Sequence, residues 1–250
     1  MGPPGFAVLD LERSHILAIQ SAILAAGQWE QTRSLTWAMR DYLDLQGHST
    51  ARKAVIEAGL AAARASAGRY DEGAFLTLLG LAYYALGDAR RAIEFYEQAL
   101  VIVREIGDRR GEGQDLGNLG LAYAALGDAR RAIEFHEQAL VIDREIGDRR
   151  GEGADLGNLG NAYAALGDAR RAIEFYEQHL SLAREIGDRR GEALGSWNLG
   201  LAYEKEGNLT AAIAAMQICV DYEQEIGHPD AEKDAAQVGQ LRQRLKDQHT

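Results

Sequence analysis

The sequence predicts an all-α protein of about twelve helices, in which one pair of helices is repeated along the chain. Three observations lead to this prediction. The chain has 250 residues and only three prolines, none of which lies between residues 5 and 228, so no proline interrupts a helix over that length. Ala, Leu, Glu, Arg and Gln dominate the composition and favour helix. A block of 40 residues also recurs.

The repeat is visible by direct alignment. Residues 81–120 and 121–160 align without a gap, residues 161–200 continue in the same register, and a more diverged copy runs from 201 to about 226. A helix pair on its own leaves apolar surface exposed, so such units stack on their neighbours. The first two blocks differ only at the positions Tyr84/Ala124, Tyr96/His136, Val103/Asp143 and Gln114/Ala154.

The first helix of each unit is marked by an apolar stripe. In the copy at 107–146 we expect this helix over about residues 111–126. Gly127 then supplies a left-handed C-terminal turn, and Asp128 provides an N-cap for the next helix. The stripe has the spacing of one helix face and consists of Leu116, Leu119, Tyr123 and Leu126.

The second helix is expected over about residues 129–146. His136 stands where other copies have Tyr96 and Tyr176, so we interpret it as a packing residue and not as a ligand. The side chains predicted to pack inward are Ala132, Ile133, Phe135, His136, Ala139, Leu140 and Ile142.

The two ends of the chain follow the pattern more weakly. Helices are expected at about 28–46 and 50–66, forming a degenerate pair, and at about 10–26 as a preceding or covering helix. A last helix at about 230–246 is polar on one side, with Pro229 expected at its first position. The predicted boundaries are 1–66 for the degenerate N-terminal repeats and cap, 67–106, 107–146, 147–186 and 187–226 for four repeats, and 227–250 for a C-terminal capping helix.

Six positions of the repeat form a signature that occurs in four copies. In one copy it reads Leu116, Leu119, Gly120, Tyr123, Ala132 and His136. This pattern resembles the tetratricopeptide repeat (TPR), although the period is longer than the usual 34 or so residues. The Asn-Leu-Gly triplet is similar to kinesin light chains, to spindle-orientation adaptors and to the repeat arrays of bacterial STAND-type signalling NTPases. The resemblance implies a right-handed α-α superhelix, a TPR solenoid, whose first helices line a concave groove.

The resemblance also implies a peptide-binding groove. In the similar families the Asn of the triplet contacts bound peptide, which carries over to Asn118, Asn158 and Asn198. An alternative remains open, in which each Asn bonds to the neighbouring repeat and is structural. The residues expected to line the groove are Asn118, Asn158, Asn161, Asn198, Leu81, Tyr84, Leu121, Trp197 and Leu201.

The sequence shows no catalytic constellation, and we predict no enzyme activity, metal or cofactor. The Gly-rich stretch at 151–160 lacks the Gly-Lys-Ser/Thr of a phosphate loop. Cys219 is the only cysteine, which excludes an intramolecular disulfide and fits a buried residue in a reducing cytoplasm. No metal-ligand spacing relates the histidines, which are His15, His48, His136, His179, His228 and His249.

The net charge of the chain limits the classes of partner that we expect. The net charge is −11 without any basic tract, so nucleic acid is not expected as a partner. No segment reads as a membrane span or a signal peptide. We therefore predict a cytoplasmic, non-catalytic scaffold for a protein or peptide, with self-association possible. Two alternatives are an excised sensor or regulatory array of a bacterial signalling ATPase, and an engineered or self-assembling repeat protein.

Overall fold

The computed structural model describes residues 4–45 and 49–248, and within these ranges every regular element is an α-helix. The described part contains twelve helices, which confirms the predicted all-α class and the number of helices. They are α1 (Pro4–Ala25), α2 (Trp29–Leu45), α3 (Ser49–Ala65), α4 (Arg69–Ala85), α5 (Ala89–Ile106), α6 (Arg109–Ala125), α7 (Ala129–Ile146), α8 (Arg149–Ala165), α9 (Ala169–Ile186), α10 (Arg189–Lys205), α11 (Leu209–Ile226) and α12 (Ala231–Asp247).

The helices form two compact units. The first unit ends at Leu126 and contains α1 to α6, and the second begins at Gly127 and contains α7 to α12. Within each unit, consecutive helices pack against each other as antiparallel hairpins. Two of the six histidines, His48 and His249, lie outside the described residues.

Local sequence signals define the helix ends. Gly127 has φ 79° and the Asp128 carboxylate accepts a hydrogen bond from the backbone N–H of Arg131 (3.1 Å), as predicted. The same cap bond, from the third residue of the helix, is made by Asp88, Asp108, Asp128, Asp148, Asp168, Asp188 and Asn208.

The structure corrects two predictions about helix ends. Leu126 was expected in the buried stripe, but it follows the last residue of α6 and its side chain is 44% exposed. Pro229 was expected as the first residue of the last helix, but Asp230 occupies the N-cap and α12 begins at Ala231. Pro229 therefore lies in the turn before the helix.

The core of each unit is built from the apolar stripes of adjacent helices. In the first unit Leu76, Leu79 and Ile102 belong to one buried cluster. The signature glycine sits beneath the aromatic ring of the next helix, because a Cβ at Gly80 would collide with the ring of Tyr96. In the second unit α12 covers α11, and the buried cluster consists of Leu209, Ala212, Met216, Val220, Val238 and Leu241.

Ion pairs link the start of a first helix to the ends of its neighbours. Glu152 is buried at the start of α8, and its carboxylate accepts from Arg144 Nε (2.8 Å) and Arg149 Nη1 (2.5 Å). Arg149 also donates to Glu185 near the end of α9 (2.6 Å). These contacts fix one hairpin onto the next within the second unit.

Candidate functional site

The residues predicted to bind peptide lie on the first helices of the pairs. Each unit has such a surface, which we call its first-helix face: α2, α4 and α6 form it in the first unit, and α8, α10 and α12 form it in the second. Within the units, α4 contacts α6 and α8 contacts α10. Side chains from consecutive first helices therefore come close to one another on this face.

A cavity of about 420 Å³ opens on the first-helix face of the second unit. We call it the α10 cavity. Two of the predicted residues, Asn198 and Leu201, line it. Small side chains leave the space open, and the wall is mainly apolar with charged groups at the edge. The remaining lining residues are Ala164, Ala169, Tyr176, Ala202, Glu204, Lys205 and Arg244.

The amides of Asn161 and Asn198 bond to each other beside this cavity. Asn198 Nδ2 donates to Asn161 Oδ1 over 3.2 Å, and the hydroxyl of Tyr176 donates to the same oxygen over 2.7 Å. Burial raises the pKa of Tyr176 to about 12, so its hydroxyl keeps the proton that it donates. Bonding between neighbouring first helices is thus present for this pair. A side-chain amide has two N–H donors, and this bond uses one donor of Asn198.

Asn118 has a different environment in the first unit. Its side chain is half-buried in α6, and its Nδ2 is buried without a hydrogen-bond partner among the described residues. A buried amide donor left unpaired costs about 1–3 kcal/mol. Asn118 therefore has donor capacity that the fold itself does not use.

A second cavity, of about 290 Å³, lies between α2, α4 and α6. We call it the α4 cavity. The predicted residue Leu81 lines it, next to Trp37 and Leu78. The indole of Trp37 donates to Asp71 Oδ1 over 3.1 Å, which holds the ring in place. The other lining residues are Arg40, Tyr70, Ala74, Thr77, Val103, Asp108, Arg110, Gly111 and Gln114.

The remaining predicted residues lie outside these two cavities. Trp197 packs against the buried cluster of α11 and α12, so it contributes to holding the last helix. Asn158, Tyr84 and Leu121 are half-buried on the first helices, and neither cavity is lined by them.

Sequence reasoning missed a buried polar cluster in the second unit. His136 is 1% exposed, which confirms its packing role, but its Nδ1 lies 2.9 Å from Asp155 Oδ1. Burial, together with the neighbouring Asp155, raises the pKa of Asp143 to about 7. Burial also raises the pKa of Asp155, although the contact with His136 opposes this. The available signal was that His136 and Asp143 are two of the four differences between nearly identical blocks.

The corresponding carboxylate of the first unit is Asp115. It is fully buried, and Thr77 Oγ1 donates to its Oδ1 over 2.7 Å. Its second oxygen, Oδ2, has no partner among the described residues. Burial raises the pKa of Asp115 to about 7, against the opposing effect of the hydrogen bond from Thr77.

Other reactive groups give no sign of chemistry in the described residues. Cys219 is buried as predicted, and burial raises the pKa of its thiol to about 12, which keeps it in the unreactive form at neutral pH. Within residues 4–45 and 49–248, no three His, Cys, Asp or Glu side chains group in a way that could hold a metal ion. None of the described helices combines the length and apolarity needed to cross a bilayer.

The repeat matches the profile of a known protein family. The tetratricopeptide repeat family profile matches residues 71–145, 116–185 and 152–225, which together cover more than half of the chain. No curated protein sequence matches the chain.

Solved structures share the fold at low sequence identity. BtubC (BKLC) from P. vanneervenii is 19% identical, with a TM-score of 0.71, and the alignment covers 86% of this chain and 92% of that one. A Podosopora anserina protein described as a kinesin light chain with nearly identical TPR-like repeats is 19% identical, with a TM-score of 0.63, covering 81% and 98%. A signal transduction ATPase with numerous domains (STAND) and a tetratricopeptide repeat sensor, from Pyrococcus horikoshii, is 15% identical, with a TM-score of 0.66, covering 86% and 38%. These matches confirm the predicted fold and the resemblance to both groups.

Proposed function

The chain belongs to the tetratricopeptide repeat family, and from this premise we propose that it is a non-catalytic scaffold that binds a peptide or a helix on its first-helix face. Repeats of this family generally mediate protein–protein interaction. The proposal adds a location for binding and the residues that make the contacts. A cytoplasmic location, suggested by the single reduced cysteine, is part of the same proposal.

The α10 cavity is the observation that carries this proposal. Its volume of about 420 Å³ exceeds that of a single large side chain, and its mainly apolar wall suits an aliphatic or aromatic residue. Asn198 stands at the wall with donor capacity beyond its bond to Asn161. An extended peptide can place an apolar side chain in the cavity and a backbone carbonyl against this amide.

Asn118 supports the proposal from the first unit. The buried Nδ2 of Asn118 has no partner among the described residues, and a backbone carbonyl of a bound segment would supply one. Asn118 and Gln114, which lines the α4 cavity, are four residues apart and therefore share one face of α6. The Nδ2 donor of Asn118 and the α4 cavity thus lie on the same side of the first unit.

Filling the α10 cavity is the test of the proposal. We expect Ala164→Tyr to fold, because α4 carries Tyr84 at the same register, and to weaken binding of peptides selected from a random displayed library. The loss should be about tenfold or more, because the occupant loses its apolar contact area. Asn198→Ala should weaken the same peptides by about threefold to tenfold, the usual worth of one hydrogen bond. Affinities are measured by fluorescence anisotropy.

A surface variant provides the control for this experiment. Arg170 has a side chain that is 88% exposed on α9, outside both cavities, so Arg170→Ala should leave the affinities unchanged. If the selected peptides bind Ala164→Tyr as tightly as the wild type, they do not use the α10 cavity, and the proposal fails for the second unit.

A second candidate function is that of a sensor array within a signalling ATPase. The likeness to the Pyrococcus horikoshii protein favours it. The alignment includes 86% of this chain but only 38% of that protein, so this chain corresponds to one part of a larger protein there. In this role the same face would bind a triggering ligand or another domain of the ATPase. The peptide selection distinguishes the scaffold from the sensor array. A sensor array that binds its own ATPase module should select peptides whose sequences resemble segments of that module.

A further inference from the structure

A cavity of about 590 Å³ lies on a different side of the second unit, between the second helices α9 and α11, with α10 as its floor. We call it the α9–α11 cavity. Among the residues that line it are Glu177, Ser196, Leu199, Tyr203, Ala211 and Ala215. None of these belongs to the residues that line the α10 cavity.

The neighbouring copy shows which side chains are missing from this cavity. In the groove between α7 and α9, the ring of Phe175 stacks on Tyr163, with ring centroids 5.3 Å apart and planes 6° apart. The guanidinium of Arg171 lies 5.3 Å from the centroid of the same Tyr163 ring. In the last copy the corresponding positions are Ala215 and Ala211. The aromatic residue and the cation are both absent there, while the tyrosine that they contact remains as Tyr203.

The first unit has the same filled arrangement. Phe95 stacks on Tyr83 with centroids 5.3 Å apart, and Arg91 lies 5.4 Å from the centre of that ring. Two copies of the repeat therefore use a phenylalanine and an arginine to cover this tyrosine. The α9–α11 cavity is the space that those two side chains would occupy.

A serine in the cavity wall gives a second, independent indication of a ligand. Ser196 is 0% exposed and replaces the leucine of the other copies, such as Leu156. Its hydroxyl is buried without a hydrogen-bond partner among the described residues. Buried hydroxyl groups are normally paired, so an occupant with a polar atom would satisfy a group that the fold leaves unpaired.

The charged side chains that line the cavity are Glu177 and Arg184, and Arg184 Nε donates to Glu192 over 2.6 Å. The hydroxyl of Tyr203 donates to Glu177 Oε1 over 2.7 Å, which places a carboxylate beside the ring. In the neighbouring copy the corresponding carboxylate, Glu137, shares its tyrosine with Arg171. Without an arginine at Ala211, the carboxylate of Glu177 lacks that nearby cation. A basic residue of a partner fits this position.

We propose that the α9–α11 cavity binds a tyrosine side chain of a partner protein, with an arginine or lysine next to that tyrosine. The tyrosine ring stacks on Tyr203 as Phe175 stacks on Tyr163, and its hydroxyl bonds to Ser196. The basic side chain takes the place of the missing arginine beside Glu177. This site is separate from the first-helix face, so it does not depend on the function proposed above.

The test uses short capped peptides and the full isotope-labelled chain. The probe is acetyl-Gly-Arg-Tyr-Arg-Gly-amide, and the comparison peptides carry Phe or Ala in place of Tyr. We expect saturable NMR shifts at the residues of the α9–α11 cavity, with the Tyr peptide about threefold tighter than the Phe peptide because of one added hydrogen bond. The Ala peptide should cause no saturable shift there.

Variants that restore the sequence of the neighbouring copy provide the decisive comparison. Ala215→Phe should weaken the Tyr peptide by about tenfold or more, because the ring fills the cavity, and should melt no lower than the wild type. If Ala215→Phe does not fold, Ala211→Arg replaces it, since it puts back the cation and should weaken the same peptide. Ser196→Ala should remove the preference for Tyr over Phe. Arg170→Ala, at an exposed position that lines neither this cavity nor the α10 cavity, is the control and should bind the Tyr peptide as the wild type does.

Three results would overturn the proposal. The absence of saturable shifts at the α9–α11 cavity, or shifts that persist unchanged in Ala215→Phe and Ala211→Arg, would show that the cavity is not a binding site. Equal affinity of the Tyr and Phe peptides for the wild type would show that Ser196 does not bind the hydroxyl. Because the first-helix face is tested with Ala164→Tyr and selected peptides, a failure of either proposal is recognised separately.

Discussion

Buried carboxylates are the least expected residues of this protein. Asp115, Asp143 and Asp155 lie at interfaces between helices, and burial is the main cause that raises the pKa of each. A carboxyl group whose pKa is higher in the folded state binds protons more readily there than in the unfolded chain. Protein stability therefore falls as the pH rises from the unfolded pKa to the folded pKa, and the full penalty is present above the folded value.

Asp115→Asn tests this effect at one residue. The pKa of Asp115 is about 7 in the folded chain against 3.8 ordinarily, so its ionisation destabilises the protein increasingly between about pH 4 and pH 7. Asparagine does not ionise, so the variant should be more stable than the wild type at pH 8, by up to about 4 kcal/mol. The advantage should vanish near pH 4. Urea denaturation at several pH values measures it.

An exposed carboxylate supplies the control for Asp115→Asn. Asp128 caps α7 at the surface, and asparagine is an equally good cap, so Asp128→Asn should run parallel to the wild type across the pH range. If Asp115→Asn also runs parallel to the wild type, Asp115 is not held in its neutral form by burial.

The sequence predicted burial at the residue level but not polar pairing. His136 was assigned to packing from its place in the repeat, and the structure confirms this. Its bond to Asp155 was not predicted, because that contact joins α7 to α8 and depends on how the two helices are oriented. The 40-residue period predicts which positions are equivalent in successive copies. It does not predict which side chains are in contact between neighbouring helices. For Asn198 the sequence left open a bond to the neighbouring repeat, and the structure shows one, but the sequence did not predict that its partner is Asn161 on α8.

At the scale of the helix, the ends could be predicted because their causes are local. Each Gly-Asp or Gly-Asn pair contains its own left-handed turn and its own cap, so no distant contact was needed. The errors have local reasons as well. Helix α6 begins at Arg109 because Asp108 caps it, two residues before the start expected from the apolar stripe, since the first turn of a helix carries polar residues.

The cap of α10 is a test at this scale, since α10 carries both Asn198 and Leu201. Asp188 accepts a hydrogen bond from the backbone N–H of Gly191 over 2.8 Å. Asp188→Ala should lower the free energy of unfolding by about 1 kcal/mol, because the donor at the start of the helix loses its partner. Urea denaturation near pH 7 measures the loss.

Asp188→Asn separates the hydrogen bond from the charge. Asparagine keeps an oxygen that accepts the bond but removes the negative charge near the helix N-terminus. The variant should therefore lose only a small part of the stability that Asp188→Ala loses. Equal losses in both variants would mean that the charge, and not the cap bond, stabilises α10.

At the scale of the molecule, the repeat made the fold predictable and made the cavities unpredictable. Four copies in register determine the helix order and the type of hairpin. The α9–α11 cavity arises from differences between copies, namely Ala215, Ala211 and Ser196. In the sequence these differences looked like ordinary divergence of a terminal repeat. The structure shows the connection, because the stacked pairs Phe95–Tyr83 and Phe175–Tyr163 occupy in other copies the positions where the last copy has a cavity.

The chain is expected to be a monomer, because α12 covers the apolar end of the helix stack. Val238 and Leu241 bury the apolar face of α11, while most of the outer side of α12 is polar and exposed. The net charge of −11 also opposes contact between copies. We therefore expect light scattering after size exclusion to give a mass near 27.3 kDa over a tenfold range of concentration.

Leu241→Asp should loosen α12, expose Met216 and Val220, and raise the mass with concentration, whereas Gln240→Asp on the exposed side should not. A wild-type mass that rises with concentration would mean that a surface of the chain binds a second copy. The peptide titrations would then have to be carried out at a protein concentration low enough for the chain to be monomeric.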